Sequence, residues 1–303
     1  MRRLDVAPAR FRPGGWSDEH ILWGLVRGRV TRLDTRNGET RTLAATGWWV
    51  QAAPNVAAWQ NETGTWLLRD GGAPERLAGP AGDPERSGDG PTVLLSRDGT
   101  RALLGWQQEW DGLYDLLERD GSRHRLETRI PGYFLTGAAL WLDSARGLFQ
   151  TVATAPIGGE PTYRERGWRG ALAVFDLRTN AYTLVANVPD FTYLRVVGPY
   201  LDDVLVTEWD ASGSVRAHWL YDPRTWRRRP TSLPKGRAFA SPAGAVVVLL
   251  DPQADSTDAV LIADGETRSI GRVARDGEPA FSPSGRRGAL RTANGVMVFE
   301  PTP

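Results

Sequence analysis

The sequence has no cysteine, only one lysine and only three histidines, and each scarcity excludes something. Without cysteine there is no disulfide framework and no thiolate-bound zinc. His20, His124 and His218 are far apart and lack metal-ligand spacing, so no metal and no other cofactor is expected. Lys235 follows proline rather than glycine, which rules out a Walker-type phosphate loop. The charge is balanced, 37 Lys and Arg against 36 Asp and Glu, so the basic footprint of a nucleic-acid partner is missing. The longest apolar run, around residues 243–250, is far short of the roughly 20 residues that span a bilayer, so no membrane insertion is expected. The N-terminus, MRRLDVAPARF, has basic residues with no apolar stretch behind them and reads as lacking a signal peptide. A cytoplasmic location is the default expectation, with an exported mature form as the alternative.

What is present is apolar sequence cut into short pieces. The apolar residues make up 41% of the chain, enough for an ordinary core. Glycine and proline together are about 18%, rich in turns but below the level of disordered chains. One repeated pattern is a strand ending in an acid, a turn, then a strand with a late apolar residue. It occurs at 30–44, 66–78, 115–127, 172–186, 218–233 and 259–271. Its acids, Asp34, Asp70, Asp120, Asp176, Asp222 and Asp264, stand where a tight turn uses a carboxylate to accept backbone N–H groups, a structural role. A second pattern precedes each of these: an apolar strand, a Pro/Gly/Asp turn and another apolar strand. It is clearest at 92–106, 238–250 and 280–290.

Joining the two patterns gives four-stranded units of about 43 residues, the period of a propeller blade. The expected fold is therefore all-β: a seven-bladed β-propeller of four-stranded antiparallel blades, forming a single domain over residues 1–303. The seventh unit holds three strands and then ends. MRRLDV carries the same Arg-Leu pair as PERLAG, HRLETR and TRTLAA, so the N-terminal strand is expected to close the last blade. The turns Ser96-Arg97-Asp98-Gly99, Ser241-Pro242-Ala243-Gly244 and Ser282-Pro283-Ser284-Gly285 resemble the F-S-P-D-G turn of TolB-type, WD-repeat-like propeller repeats. That resemblance implies a propeller and does not carry TolB's partners across.

Within such a blade the S-x-x-G turns form one monotonous face. The opposite face, made by the loops after the second strands and the connections between blades, is varied and aromatic. The candidate ligand-binding residues lie there: Trp49, Gln107, Glu109, Trp110, Asp111, Tyr133, Tyr163, Arg164, Trp168, Tyr193, Glu208, Trp209 and Asp210. Flat rings mixed with amides and carboxylates suit a glycan or a protein segment, the rings supplying apolar area and the polar groups orientation. The competing role for these aromatics is to wedge blades together.

Catalytic patterns are sparse. There is no G-x-S-x-G elbow, and Ser232-Leu233-Pro234-Lys235 matches S-x-x-K without its companion motifs. Carboxylates of the two Glu-Trp-Asp tripeptides, Glu109 with Asp111 and Glu208 with Asp210, have the residue types of a glycoside-hydrolase pair. The first expectation is a monomeric, non-catalytic binding module for a protein segment or glycan. The alternatives are a propeller hydrolase or lyase, glycan-active or lactonase-like, and a structural assembly subunit.

Overall fold

A computed structural model describes residues 2–4, 11–78, 92–107, 112–126, 130, 133–153, 169–187, 192–251, 256–274, 277–292 and 295–301. Among the described residues there are strands and tight turns and no helix. The chain divides into two compact units. One comprises Met1–Asp83, Arg97–Thr100 and Gly236–Pro303; the other comprises Pro84–Ser96 and Arg101–Lys235.

The first unit opens with β1 (Arg2–Leu4). Two antiparallel sheets follow, each in chain order. The first is β2 (Phe11–Trp16), β3 (Ile21–Val26), β4 (Arg29–Asp34) and β5 (Thr40–Thr46). The second is β6 (Trp49–Ala53), β7 (Val56–Asn61), β8 (Gly64–Arg69) and β9 (Glu75–Ala78).

The second unit repeats the arrangement. One sheet is β10 (Thr92–Leu95), β11 (Ala102–Gln107), β12 (Gly112–Leu117) and β13 (Arg123–Arg125). A larger sheet joins β14 (Tyr133–Trp141), β15 (Arg146–Ala153), β16 (Arg169–Asp176) and β17 (Ala181–Asn187) to β18 (Thr192–Tyr200), β19 (Asp203–Asp210), β20 (Val215–Tyr221) and β21 (Arg228–Pro230). The two sets meet at a single bridge, Arg169 with Thr192.

The chain then returns to the first unit. There β22 (Arg237–Ala240), β23 (Val246–Leu249), β24 (Ser256–Ala263) and β25 (Glu266–Ala274) precede β26 (Ala280–Phe281), β27 (Gly288–Thr292) and β28 (Gly295–Phe299). These sets also meet at one bridge, Val273 with Thr292. β1 pairs antiparallel with β28, Arg2 opposite Val298 and Leu4 opposite Val296, as the shared Arg-Leu pattern predicts.

The burial gradient across each sheet explains the sequence pattern. β3 (ILWGLV) and β23 (VVVL) are buried along nearly their whole length, on both faces. The fourth strands are exposed, as in β13 and β21, where Arg123, Arg125, Arg228 and Arg229 place charge along what would otherwise be a sticky edge. In the first unit Trp59, Trp23 and Val30 anchor one cluster, and Val247, Leu261 and Phe299 another. In the second unit Phe149 is met edge-on by Tyr114 at 5.0 Å and Tyr182 at 5.2 Å. Each fully buried Leu or Phe contributes about 1.5–3 kcal/mol.

The turns behave largely as their residues require. Ser96, Ser241 and Ser282 are buried. Ser96 and Ser282 each accept, through Oγ, the backbone N–H five residues on, at 2.9 and 3.2 Å. Gly285 is held at φ 76°, and a side chain there would run into Ser241 Oγ. Of the six repeat acids, Asp34, Asp120, Asp176 and Asp222 each accept the N–H two residues on, at 2.8–2.9 Å. Side-chain hydrogen bonds from Arg36 and Arg178 pull the carboxyls of Asp34 and Asp176 down to about 2. Asp264 instead sits at φ 52° beside Gly265 in a two-residue hairpin turn, using its tolerance of left-handed backbone.

Candidate functional site

The predicted aromatic and acidic residues divide between the two units. In the second unit Tyr193 on β18 lies directly across from Trp209 on β19. Their rings are parallel within 3°, with centroids 6.3 Å apart. Trp209 Nε1 is buried and has no hydrogen-bond partner among the described residues. Burial, reinforced by the negative charge of Asp210, pushes the Tyr193 hydroxyl above its ordinary range.

The two acids flanking Trp209 are occupied. Glu208 is 7% exposed and accepts the Trp219 indole N–H at 3.0 Å. Arg228 approaches the same carboxylate at 3.4 Å and Arg216 at 3.8 Å. The Arg228 guanidinium also lies 4.1 Å over the Trp219 ring, so Glu208 is the centre of a charged, hydrogen-bonded knot. Asp210 accepts from Ser212 Oγ, Ser212 N and Ser214 N. These bonds, the Ser212 hydroxyl first, hold its carboxyl below the usual range and fix the β19–β20 turn. Tyr133 begins β14 and its hydroxyl stands 3.4 Å from Asn187 Nδ2. Gln107 ends β11, opposite Gly112. Glu109, Trp110, Asp111, Tyr163, Arg164 and Trp168 lie outside the described residues.

Trp49 belongs to the first unit, where a cavity of about 140 Å³ forms at the entry ends of three first strands, β2, β6 and β26. Two features of sequence bring these ends together. Pro13-Gly14-Gly15 bulges β2, and a side chain at Gly14 would strike Val50 O, while one at Gly15 would strike Ala52 N. Glycine thus permits β2 and β6 to approach closely. On the other side Ala280 O accepts the Trp16 indole N–H at 2.9 Å, holding the start of β26 against β2.

Trp48, 48% exposed, and the half-buried Trp49 form the aromatic wall of this cavity. Glu278 supplies a carboxylate, ion-paired with Arg237, whose guanidinium also lies 5.2 Å over the Phe239 ring. Arg12 supplies a cation. It is exposed and has no ion-pair or hydrogen-bond partner among the described residues. Sequence reasoning reached Trp49 but not Arg12 or Glu278. The signal for Arg12 was the Pro-Gly-Gly run beside it, which marks close backbone approach. Nothing local marks Glu278.

Among the described residues no three His, Asp or Glu side chains are grouped to hold a metal ion. His218 is 3% exposed, with Nδ1 2.9 Å from Thr207 Oγ1 and Nε2 3.2 Å from Pro234 O. A carbonyl only accepts, so Nε2 carries the proton and Nδ1 accepts from the hydroxyl: a satisfied core histidine. Burial pushes its pKa down, against a smaller opposing effect of the Pro234 bond.

No family model and no curated protein sequence matches the chain. Among solved structures, the tricorn protease aligns with 97% of this chain at 10% identity and a TM-score of 0.65. This chain spans only 33% of that protease's length. An oligogalacturonate lyase in complex with manganese aligns with 97% of this chain and 90% of its own, at 9% identity and a TM-score of 0.65. TolB from Agrobacterium tumefaciens aligns at 12% identity, over 95% of this chain and 88% of its own, with a TM-score of 0.49. The protease and the lyase are β-propeller folds, and at these identities the likeness shows the fold alone. The chain is an all-β protein with a β-propeller fold, and many of its described strands form four-stranded antiparallel sets.

Proposed function

We propose that the chain is a non-catalytic binding module: one seven-bladed, TolB-type propeller domain over residues 1–303 that recognises a protein segment. Support for the blade count comes from the four-strand sets, the last of them β26–β28 completed by β1. The observation that carries the functional reading is the cavity bounded by Trp48, Trp49, Arg12 and Glu278. It lies in the connections between sheets, the varied face of the sequence reading, and presents exposed aromatic area beside a cation that has no partner among the described residues. Its volume of about 140 Å³ is below the roughly 300–1,000 Å³ of small-molecule sites, and suits one group of a longer ligand.

The enzyme reading draws on the names of the neighbours, a protease and a lyase. Against it stand Glu208 and Asp210, the described members of the acidic tripeptides, which are engaged in an internal ion-pair knot and a turn. The test is to probe the purified full chain on peptide and glycan arrays, with Trp48→Ala beside it. Peptide spots bound by the wild type and lost in the variant support the reading. Signal confined to glycans, or none, contradicts it.

A further inference from the structure

We infer that the cavity between β2, β6 and β26 is an anchor pocket for one apolar side chain of an extended peptide, and that Arg12 holds the carboxylate of an acidic residue next to it. This rests on the binding-module reading and narrows its ligand. A cavity near 150 Å³ admits a benzene-sized group, so 140 Å³ matches a single Leu or Phe side chain. An occupant that small gains too little by itself for specific binding, and further contacts must come from groups continuing out of the cavity. Trp48, half exposed at the rim, offers that apolar continuation.

Charge selects the sign of the neighbour. Glu278 is neutralised by Arg237, which among the described residues leaves Arg12 as the unbalanced charge on the lining. A guanidinium donates two parallel N–H bonds to a carboxylate in a bidentate fork, with directionality that an amide or ammonium ligand does not match. Glu278, on the same lining, remains able to accept a peptide N–H, which suits an extended chain in the pocket. Since the Arg12 contact is solvent-exposed, salt weakens it.

The experiment titrates the full-length protein with acetylated, amidated tetrapeptides containing Leu-Asp or Asp-Leu. Their Asn, Lys and Leu→Ala counterparts run beside them. Binding is read by NMR of the Trp indole signals, with Trp48→Phe and Trp49→Phe assigning the two pocket rings. The expected result is that an Asp peptide shifts the Trp48 and Trp49 signals and binds at least about 10-fold more tightly than its Asn form. The Lys and Leu→Ala forms are weaker still, and Arg12→Gln abolishes the Asp-over-Asn preference while the melting temperature stays unchanged. Equal binding of Asp and Asn peptides to the wild type overturns the proposal without any mutant being needed. So does an acid preference that survives Arg12→Gln. Array peptides whose binding ignores Arg12 and Trp48 overturn the pocket but leave a binding module standing; a chain that binds no peptide anywhere overturns both.

Discussion

Ser282 donates its hydroxyl to the carboxylate of Glu19 at 2.9 Å, across 263 positions of sequence. The other oxygen of Glu19 accepts Ser284 N at 3.0 Å, and Arg287 donates to the Glu19 carbonyl at 3.2 Å. The β2–β3 turn is thereby clasped to the turn after β26, separately from the pairing of β1 with β28. Burial pushes the Glu19 carboxyl up, but the bonds from Ser284 and Ser282 and the charge of Arg287 outweigh it and leave it below its ordinary value. A carboxyl so lowered stabilises the fold above its unfolded pKa near 4.3, and that contribution is lost as pH falls further. Glu19→Ala is expected to cost about 1–3 kcal/mol, the range for stripping acceptors from partly buried donors. Urea unfolding at pH 7 and pH 3 checks this, the wild-type advantage shrinking at the lower pH.

The β1–β28 ladder gives a second expectation. Deleting residues 1–4 removes the partner of Val296–Val298 and exposes β28 as an edge. The melting temperature is expected to fall and aggregation on heating to rise. A truncated chain that melts with the full-length protein shows that β1 adds nothing.

His218 sets a pH dependence of definite sign. Its pKa is lowered in the folded state, so below about 6.5 the unfolded chain takes up the proton first. Stability is complete above that pH and falls as pH drops through the window beneath it. The urea midpoint is expected to decline between pH 8 and pH 5.5, and His218→Gln to remove much of that decline.

Much of the architecture was legible because it rests on local rules. β-branched runs such as Val246–Leu249, bounded by turns with Ser241 or Asp176 at their fixed places, identify strands without knowledge of their partners. The Arg-Leu pattern near residue 3 pointed to its distant partner because the segments PERLAG, HRLETR and TRTLAA at other outer strands share it. The site was less legible because its groups are made neighbours by the fold alone. Arg12 and Glu278 each look like ordinary surface charges in sequence and line one cavity through the approach of β2, β6 and the segment before β26. Glu208 shows the opposite failure. Its tripeptide has the residue types of a catalytic acid, yet it ends a run of buried positions on β19, where a carboxylate must find cations, and Arg228 and Trp219 come from strands still to follow.

That environment makes Glu208 a test of its own. Glu208→Ala leaves Arg228, Arg216 and the Trp219 N–H without their acceptor. The expected loss is about 2–4 kcal/mol, toward the range for breaking a buried pair. Thermal melts check it. Ligand binding at the Trp48 pocket is expected to be unchanged in the folded fraction.

If Trp48 serves recognition rather than packing, its loss and the loss of Trp59 have opposite consequences. Trp48 is 48% exposed, whereas Trp59 is 1% exposed and lies in a core cluster. The measurement is the dissociation constant for the strongest array peptide, taken with the melting temperature, for Trp48→Ala and Trp59→Ala. Trp48→Ala is expected to weaken binding at least about 10-fold with the melting temperature unchanged, while Trp59→Ala is expected to lose about 3–5 kcal/mol of stability. A Trp48→Ala protein that binds like the wild type, or that melts early, contradicts it.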